Sequence, residues 1–246
     1  MSENKELALN ELFAGENALS TQTADEMMAL DKLSKSSSFL QRVQLYSKGK
    51  SGPSGTLINA GHYGAPRSGD QIDDLTNSID VLVLARKAKA LDMSDTEHII
   101  ETNDVNSDEF KRIVERAGTQ NSGCAYGPTY LIYERSTRQF YEFFCGNASG
   151  RQESSKINTY LPVTQAMIDA GLTDETEPRF AKPLTLKSKF VKRQNYEWFA
   201  PVAEDCLTPI DLPSIEVMRA ELEKFNKIES PEVETADETN TSKRKR

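Results

Sequence analysis

Between Lys182 and Asn195 the chain reads KPLTLKSKFVKRQN, with five basic side chains and no acidic one, and Tyr196, Trp198 and Phe199 follow at once. Ammonium and guanidinium groups bind phosphate oxygens and flat rings stack on unpaired bases, so the pattern suits a single-stranded polynucleotide. Lys187, Lys189, Lys192 and Arg193 are the first candidates for phosphate contact, and Tyr196 and Trp198 for stacking. Five phosphate contacts on one strand would give a salt slope of about −3.5. Two stacked bases would add on the order of 2–6 kcal/mol. The competing reading is a solvated lysine face over a core that holds Trp198; lysine along a strand edge deters aggregation without any ligand.

Other residue sets carry less. Gly49, Lys50 and Ser51 have the last three residues of a phosphate-binding loop, but Gln44 stands where that motif needs glycine, and Gly52, Pro53, Ser54 and Gly55 follow where a helix should open. Lys48 and Lys50 are better read as basic loop residues near a phosphate backbone. Asp80, Glu109 and Lys111 have the residue types of a metal-dependent nuclease, in which carboxylates hold a divalent ion that activates water. Glu109 and Lys111, two apart on an expected helix, would point in different directions. His62 and His98 are the only histidines, and no close Cys/His pair marks a zinc site. Cys124, Cys145 and Cys206 are odd in number and widely spaced, which fits reduced thiols. In SGCAYGP (122–128) glycine permits close backbone approach and Tyr126 offers a flat face, against the alternative of a tight turn with core aromatics.

These residues need a scaffold, and the charge distribution indicates where it lies. The formal net charge is −8, yet residues 39–200 carry 20 Lys/Arg and 20 Asp/Glu. The acidity sits at the ends: the first 38 residues hold three lysines against seven acidic residues, and the end of the chain reads SPEVETADETNTSKRKR. The expected organisation is a flexible acidic arm over 1–38 with a short helix at 25–33, a single β-rich domain over 39–228, and a disordered tail over 229–246. With no run of about 18 apolar residues and no basic, hydrophobic start, a soluble cytoplasmic protein without membrane association is expected.

Within the middle, Ile79–Arg86 is apolar almost throughout and predicts a central buried strand. Phe39–Tyr46 alternates, with Val43 and Leu45 on one face and Arg42 and Gln44 on the other. Tyr130–Glu134 and Gln139–Cys145 flank the polar turn Arg135–Arg138 and predict a hairpin, which makes Arg138 a second-rank binding candidate with Lys48, Lys50 and Tyr126. Strand alternation puts Leu184, Leu186 and Phe190 on one side of the basic stretch and Lys187 and Lys189 on the other, with a turn at Gln194 and Asn195. Helices are expected at Ser107–Ala117, capped by Ser107 and stopped by Gly118, at Ser214–Asn226, and over a shorter Thr164–Ala170. Ser47–Gly55 reads as a mobile loop.

The order of these elements, a β-rich body with a lysine-rich strand pair near its end and an acidic C-terminus, resembles phage-encoded single-stranded-DNA-binding proteins of the OB-fold kind. The segments VLVLARKAKALDMS (81–94), SGCAYGP (122–128) and KFVKRQNYEWFAPV (189–202) are similar to those of uncharacterised tailed-phage proteins, over roughly residues 39–226. The resemblance implies an OB-like antiparallel barrel with two or three peripheral helices. It also implies non-catalytic DNA binding in replication or recombination, without a cofactor or metal, with a tail that recruits replication or recombination proteins and with homo-oligomers a possibility. Glu229, Glu232, Glu234, Asp237 and Glu238 fit such a tail, whereas Lys243, Arg244, Lys245 and Arg246 depart from it. The rival readings are a virion or scaffold protein and, third, the nuclease.

Overall fold

A computed structural model describes residues 40–52, 55–67, 71–95, 98–119, 122–193 and 196–226. The expected arm and its helix, the tail and the Gln194–Asn195 turn lie outside these residues. Eleven strands and four helices are described: β1 (Arg42–Leu45), β2 (Lys50–Gly52), β3 (Gly55–Ile58), β4 (Tyr63–Pro66), β5 (Ile72–Asp74), β6 (Ser78–Asp92), β7 (Ile100–Thr102), α1 (Asp108–Ala117), β8 (Cys124–Glu134), β9 (Gln139–Phe144), α2 (Ala148–Asn158), α3 (Gln165–Asp169), β10 (Pro183–Arg193), β11 (Tyr196–Asp205) and α4 (Ile215–Asn226).

The protein is mainly β, and nine strands form one sheet in the order β11-β10-β6-β8-β9-β1-β4-β5, with β7 also on β6. β6 is the expected central strand, extended to fifteen residues. Leu82 and Leu84 point to one face, and Ile79, Val81 and Val83 to the other. The second set joins Tyr130, Ile132, Tyr141, Phe143, Leu184, Leu186 and Ala203 in the main core, while the first packs with Leu131, Tyr133 and Phe225 of α4. A sheet covered on both faces favours such unbroken apolar runs.

The mainly β character is as expected, but the strands do not show the OB-like antiparallel barrel. The path of the sheet is open, and β1 runs parallel to β9 at Arg42 and Val43. A parallel neighbour cannot come from a tight hairpin, and here about a hundred residues separate the paired positions. The sheet nevertheless curls, because Tyr63 on β4 donates its hydroxyl to the Lys187 carbonyl on β10 at 3.1 Å. Gly61 tightens this approach: its φ is +80°, and a Cβ there would fall 2.5 Å from the Phe199 ring.

Three of the helices match their expected signals. Ser107 accepts from the Phe110 amide at 3.1 Å, with Asp108 and Glu109 in the first turn where the helix dipole favours acid. Thr164 caps α3, and Ser214 precedes α4. Helix α2 was not foreseen, because its buried residues are Gly150, Ser154 and Ile157, which give almost no apolar periodicity. It covers the outer edge of β11: Ala203 donates its amide to Glu153 Oε1 at 2.8 Å, and Trp198 its Nε1–H to Ser149 Oγ at 3.0 Å. Within the stretch read as a mobile loop, Lys50–Gly52 form β2, which pairs with β3 from Gly55 onward.

Candidate nucleic-acid interface

The β10–β11 hairpin carries the basic and aromatic candidates, and its register decides which of them share a face. Ten consecutive pairs run from Leu184–Asp205 to Arg193–Tyr196 without a bulge. Side chains alternate along a strand and paired residues share a face. Lys187, Lys189, Val191 and Arg193 therefore lie on one face with Val202, Ala200, Trp198 and Tyr196. Lys192 lies on the opposite face with Glu197, Phe190 and Phe199. The group of four cations thus divides three and one, along a parity boundary that was readable in the sequence.

This face projects beyond the sheet. Pairing of β10 with β6 ends at Lys187–Ser78, followed by one bond from the Ser188 amide to the Asn77 carbonyl at 2.9 Å, so from Lys189 outward the hairpin is a two-stranded ribbon. Its described outer residues are open: Lys189 and Arg193 are exposed, and Tyr196 is 69 % exposed. Trp198 is half-buried and held by Ser149, so Tyr196 is the freer ring. Phe190, on the other face, is also exposed and packs at a tilt against the Phe199 ring, 5.3 Å between centroids.

The cations differ in their commitments. Lys187 pairs with Glu204 and Lys192 with Glu197, each at 2.5 Å. Lys189 and Arg193 have no ion-pair partner among the described residues. Exposed pairs contribute only about 0–1 kcal/mol, so a phosphate can displace Glu204 or Glu197, but Lys189 and Arg193 are available at once. The expected salt slope accordingly starts near −1.4 for two contacts, not the −3.5 of five.

The second-rank candidates surround the ribbon. Tyr126 is half-buried, with the Arg151 guanidinium 4.7 Å above its ring. Arg151 also donates to the carbonyls of Tyr126 and Gly146. Tyr126 and Trp198 thus both contact the first turn of α2, through Arg151 and Ser149. The close approach expected of glycine in SGCAYGP is present: a Cβ on Gly127 would lie 2.3 Å from the Cys145 carbonyl oxygen. Arg138 sits in the β8–β9 turn at φ +55° and is 3.7 Å from Asp211. That turn adjoins the base of the ribbon, because Arg135 Nη1 and Thr185 Oγ1 both donate to Asp80, at 3.3 and 2.7 Å. Lys48 and Lys50 are exposed at the start of the β2–β3 ribbon, which rises from the turn that packs Gly61 on Phe199.

The nuclease set does not assemble. Asp80 lies near the start of β6, whereas α1, with Glu109 and Lys111, is tied to its far end by Arg116 and Asp92 at 2.5 Å. Lys50 begins a strand, not the helix of a phosphate-binding loop. His62 Nδ1 is 2.8 Å from Asp74, and His98 Nδ1 is 3.1 Å from Asp95. Burial pushes the Cys145 thiol up to about 12, which suits a core residue and not a nucleophile.

A buried ionic network was missed altogether. Lys89 is 1 % exposed and bonds Glu142 Oε2 at 2.6 Å and Glu101, with Lys87 at 3.2 Å from Glu142 and Arg42 on Glu101. Burial raises the Glu101 carboxyl, but Lys89 and Arg42 outweigh it and hold the group below its ordinary value. The alternating Lys87-Ala88-Lys89-Ala90 at the end of an apolar strand was its signal. No helix among the described residues is long and apolar enough to cross a membrane. The chain matches no protein-family model, no curated protein and no solved structure.

Proposed function

We propose that this protein binds single-stranded DNA without catalysing its chemistry, as a component of replication or recombination, and does so through one face of the β10–β11 ribbon. The observation that carries the reading is the register, which aligns Lys187, Lys189, Arg193, Tyr196 and Trp198 on a single face of a projecting hairpin. Cations spaced along a strand at about 6–7 Å per two residues match the spacing of phosphates in an extended single strand, and the adjacent rings supply stacking without base selectivity. An OB-like barrel is not required, because an open, curled sheet presents the same ribbon. Lys192, Lys48 and Lys50 border the opposite face and extend the positive field.

Fluorescence anisotropy of a labelled oligothymidylate tests this. Wild-type chain binds with a salt-dependent affinity, and Lys189→Ala with Arg193→Ala weakens binding and reduces the magnitude of the salt slope by about 1.4. An unchanged slope removes these residues from the interface. Self-assembly of the chain without affinity for the oligonucleotide would favour the virion or scaffold reading.

A further inference from the structure

The face of the hairpin that carries Lys187, Lys189 and Arg193 changes sign at one row. Inward of the Lys187–Val202 pair, the next pair on the same face is Thr185–Glu204, and Thr185 also pairs with Asp80 of β6. Paired residues share a face, so Asp80, Thr185 and Glu204 form a row across three strands that places two carboxylates behind Lys187. Asp80 is occupied by the Thr185 hydroxyl at 2.7 Å and by Arg135 at 3.3 Å. Glu204 instead reaches outward, and its Oε2 lies 2.5 Å from Lys187 Nζ. Outward of that pair, Lys189, Val191, Arg193, Ala200, Trp198 and Tyr196 include no acid.

A carboxylate oxygen in contact with an ammonium group holds the place that a phosphate oxygen would take. To reach Lys187, a phosphate must first displace Glu204, which for an exposed pair weakens the contact by up to about fivefold. The displaced carboxylate then remains within the 8–10 Å or so over which charges act at moderate salt, and repels the strand that displaced it. Glu197 makes an equally close pair with Lys192, but on the opposite face, where it does not border the row of Lys189 and Arg193.

We infer that Glu204 sets the inner limit of the single-strand site by withholding Lys187 from phosphate, an inference that rests on the ribbon being that site. The bound strand then touches Lys189 and Arg193 and stops short of the body of the sheet. From Lys189 to Arg193 the face spans on the order of 13 Å, room for about three nucleotides, and the Lys187 row would add about one more. Glu204 is a positioning residue in this account: it touches no DNA, and acts through the lysine that it holds.

The test is anisotropy of labelled oligothymidylate with the full chain over a series of salt concentrations. Glu204→Gln is expected to steepen the salt slope from about −1.4 to about −2.1, as a third contact forms. Its affinity at low salt should rise by about two- to fivefold. Adding Lys187→Ala to Glu204→Gln returns the slope to about −1.4. Glu197→Gln removes the same charge and frees Lys192 on the other face, and leaves the slope at the wild-type value. An unchanged slope in Glu204→Gln, an equal steepening in Glu197→Gln, or a steepening that survives Lys187→Ala overturns the inference. If wild-type chain does not bind, or Lys189→Ala with Arg193→Ala leaves the slope unaltered, the ribbon reading fails and takes the inference with it. If that pair weakens binding while Glu204→Gln changes nothing, the inference fails alone.

Discussion

Lys89 shows how much one side chain can bear. A lysine almost fully removed from water is tolerated because Glu142 and Glu101 receive its charge, and Arg42 and Lys87 complete the network. Lys89→Met leaves two buried carboxylates short of a cation and is expected to lower unfolding stability by about 3–5 kcal/mol in denaturant titration. Asp92 is a second such case: hydrogen bonds from the Ser94 hydroxyl and amide, with Arg116 nearby, lower it from 3.8 to about 2. A carboxyl held lower in the folded chain stabilises it above the ordinary value, and that contribution fades as pH falls towards the folded value. Asp92→Asn should therefore flatten the loss of stability between about pH 4 and pH 2, as followed by circular dichroism. Asp92 did not stand out in the sequence, and the alternating lysines at 87 and 89 could mark only a place for buried charge, because which distant strand supplies the counter-charge is set by the fold. The ribbon residues were legible, and their division into two faces followed from alternation alone. What the sequence could not supply were the partners Glu204 and Glu197, which separate committed cations from available ones.

At the scale of elements, the hairpin is held in place by contacts on both of its flanks. Gly61 and Phe199 brace one side, and α2 holds the other through Ser149 and Glu153. Gly61→Ala meets both a positive φ and the Phe199 ring. Its backbone term alone is about 1–2 kcal/mol, and weaker oligonucleotide binding should accompany the loss of stability if the brace orients the ribbon. Ser107→Ala removes the α1 cap and is expected to cost about 1 kcal/mol with no effect on oligonucleotide affinity. Strong periodicity made β6, the β8–β9 hairpin, α1 and α4 readable. Helix α2 was hidden because it packs through Gly150, Ser154 and a single isoleucine, and β2 and β3 were hidden in a glycine- and serine-rich stretch whose propensity favours neither state.

For the whole molecule, the acidic net charge is a poor guide to its partner. Balanced charge over residues 39–200 leaves the ribbon as a local positive feature, and at moderate salt only charges within about 8–10 Å act on it strongly. Pairing of residues far apart in the sequence, such as β1 parallel to β9, gives a mixed sheet whose path does not close where an OB-like antiparallel barrel was expected. That topology leaves a cationic ribbon exposed at one end of the sheet. The only tryptophan of the chain, Trp198, stands on the proposed binding face and reports on it directly. Titration of the full chain with an unlabelled short oligothymidylate at low salt, followed by tryptophan emission, should give a saturable change whose midpoint moves to higher concentration as salt is added; emission that stays constant throughout the titration would contradict binding on this face.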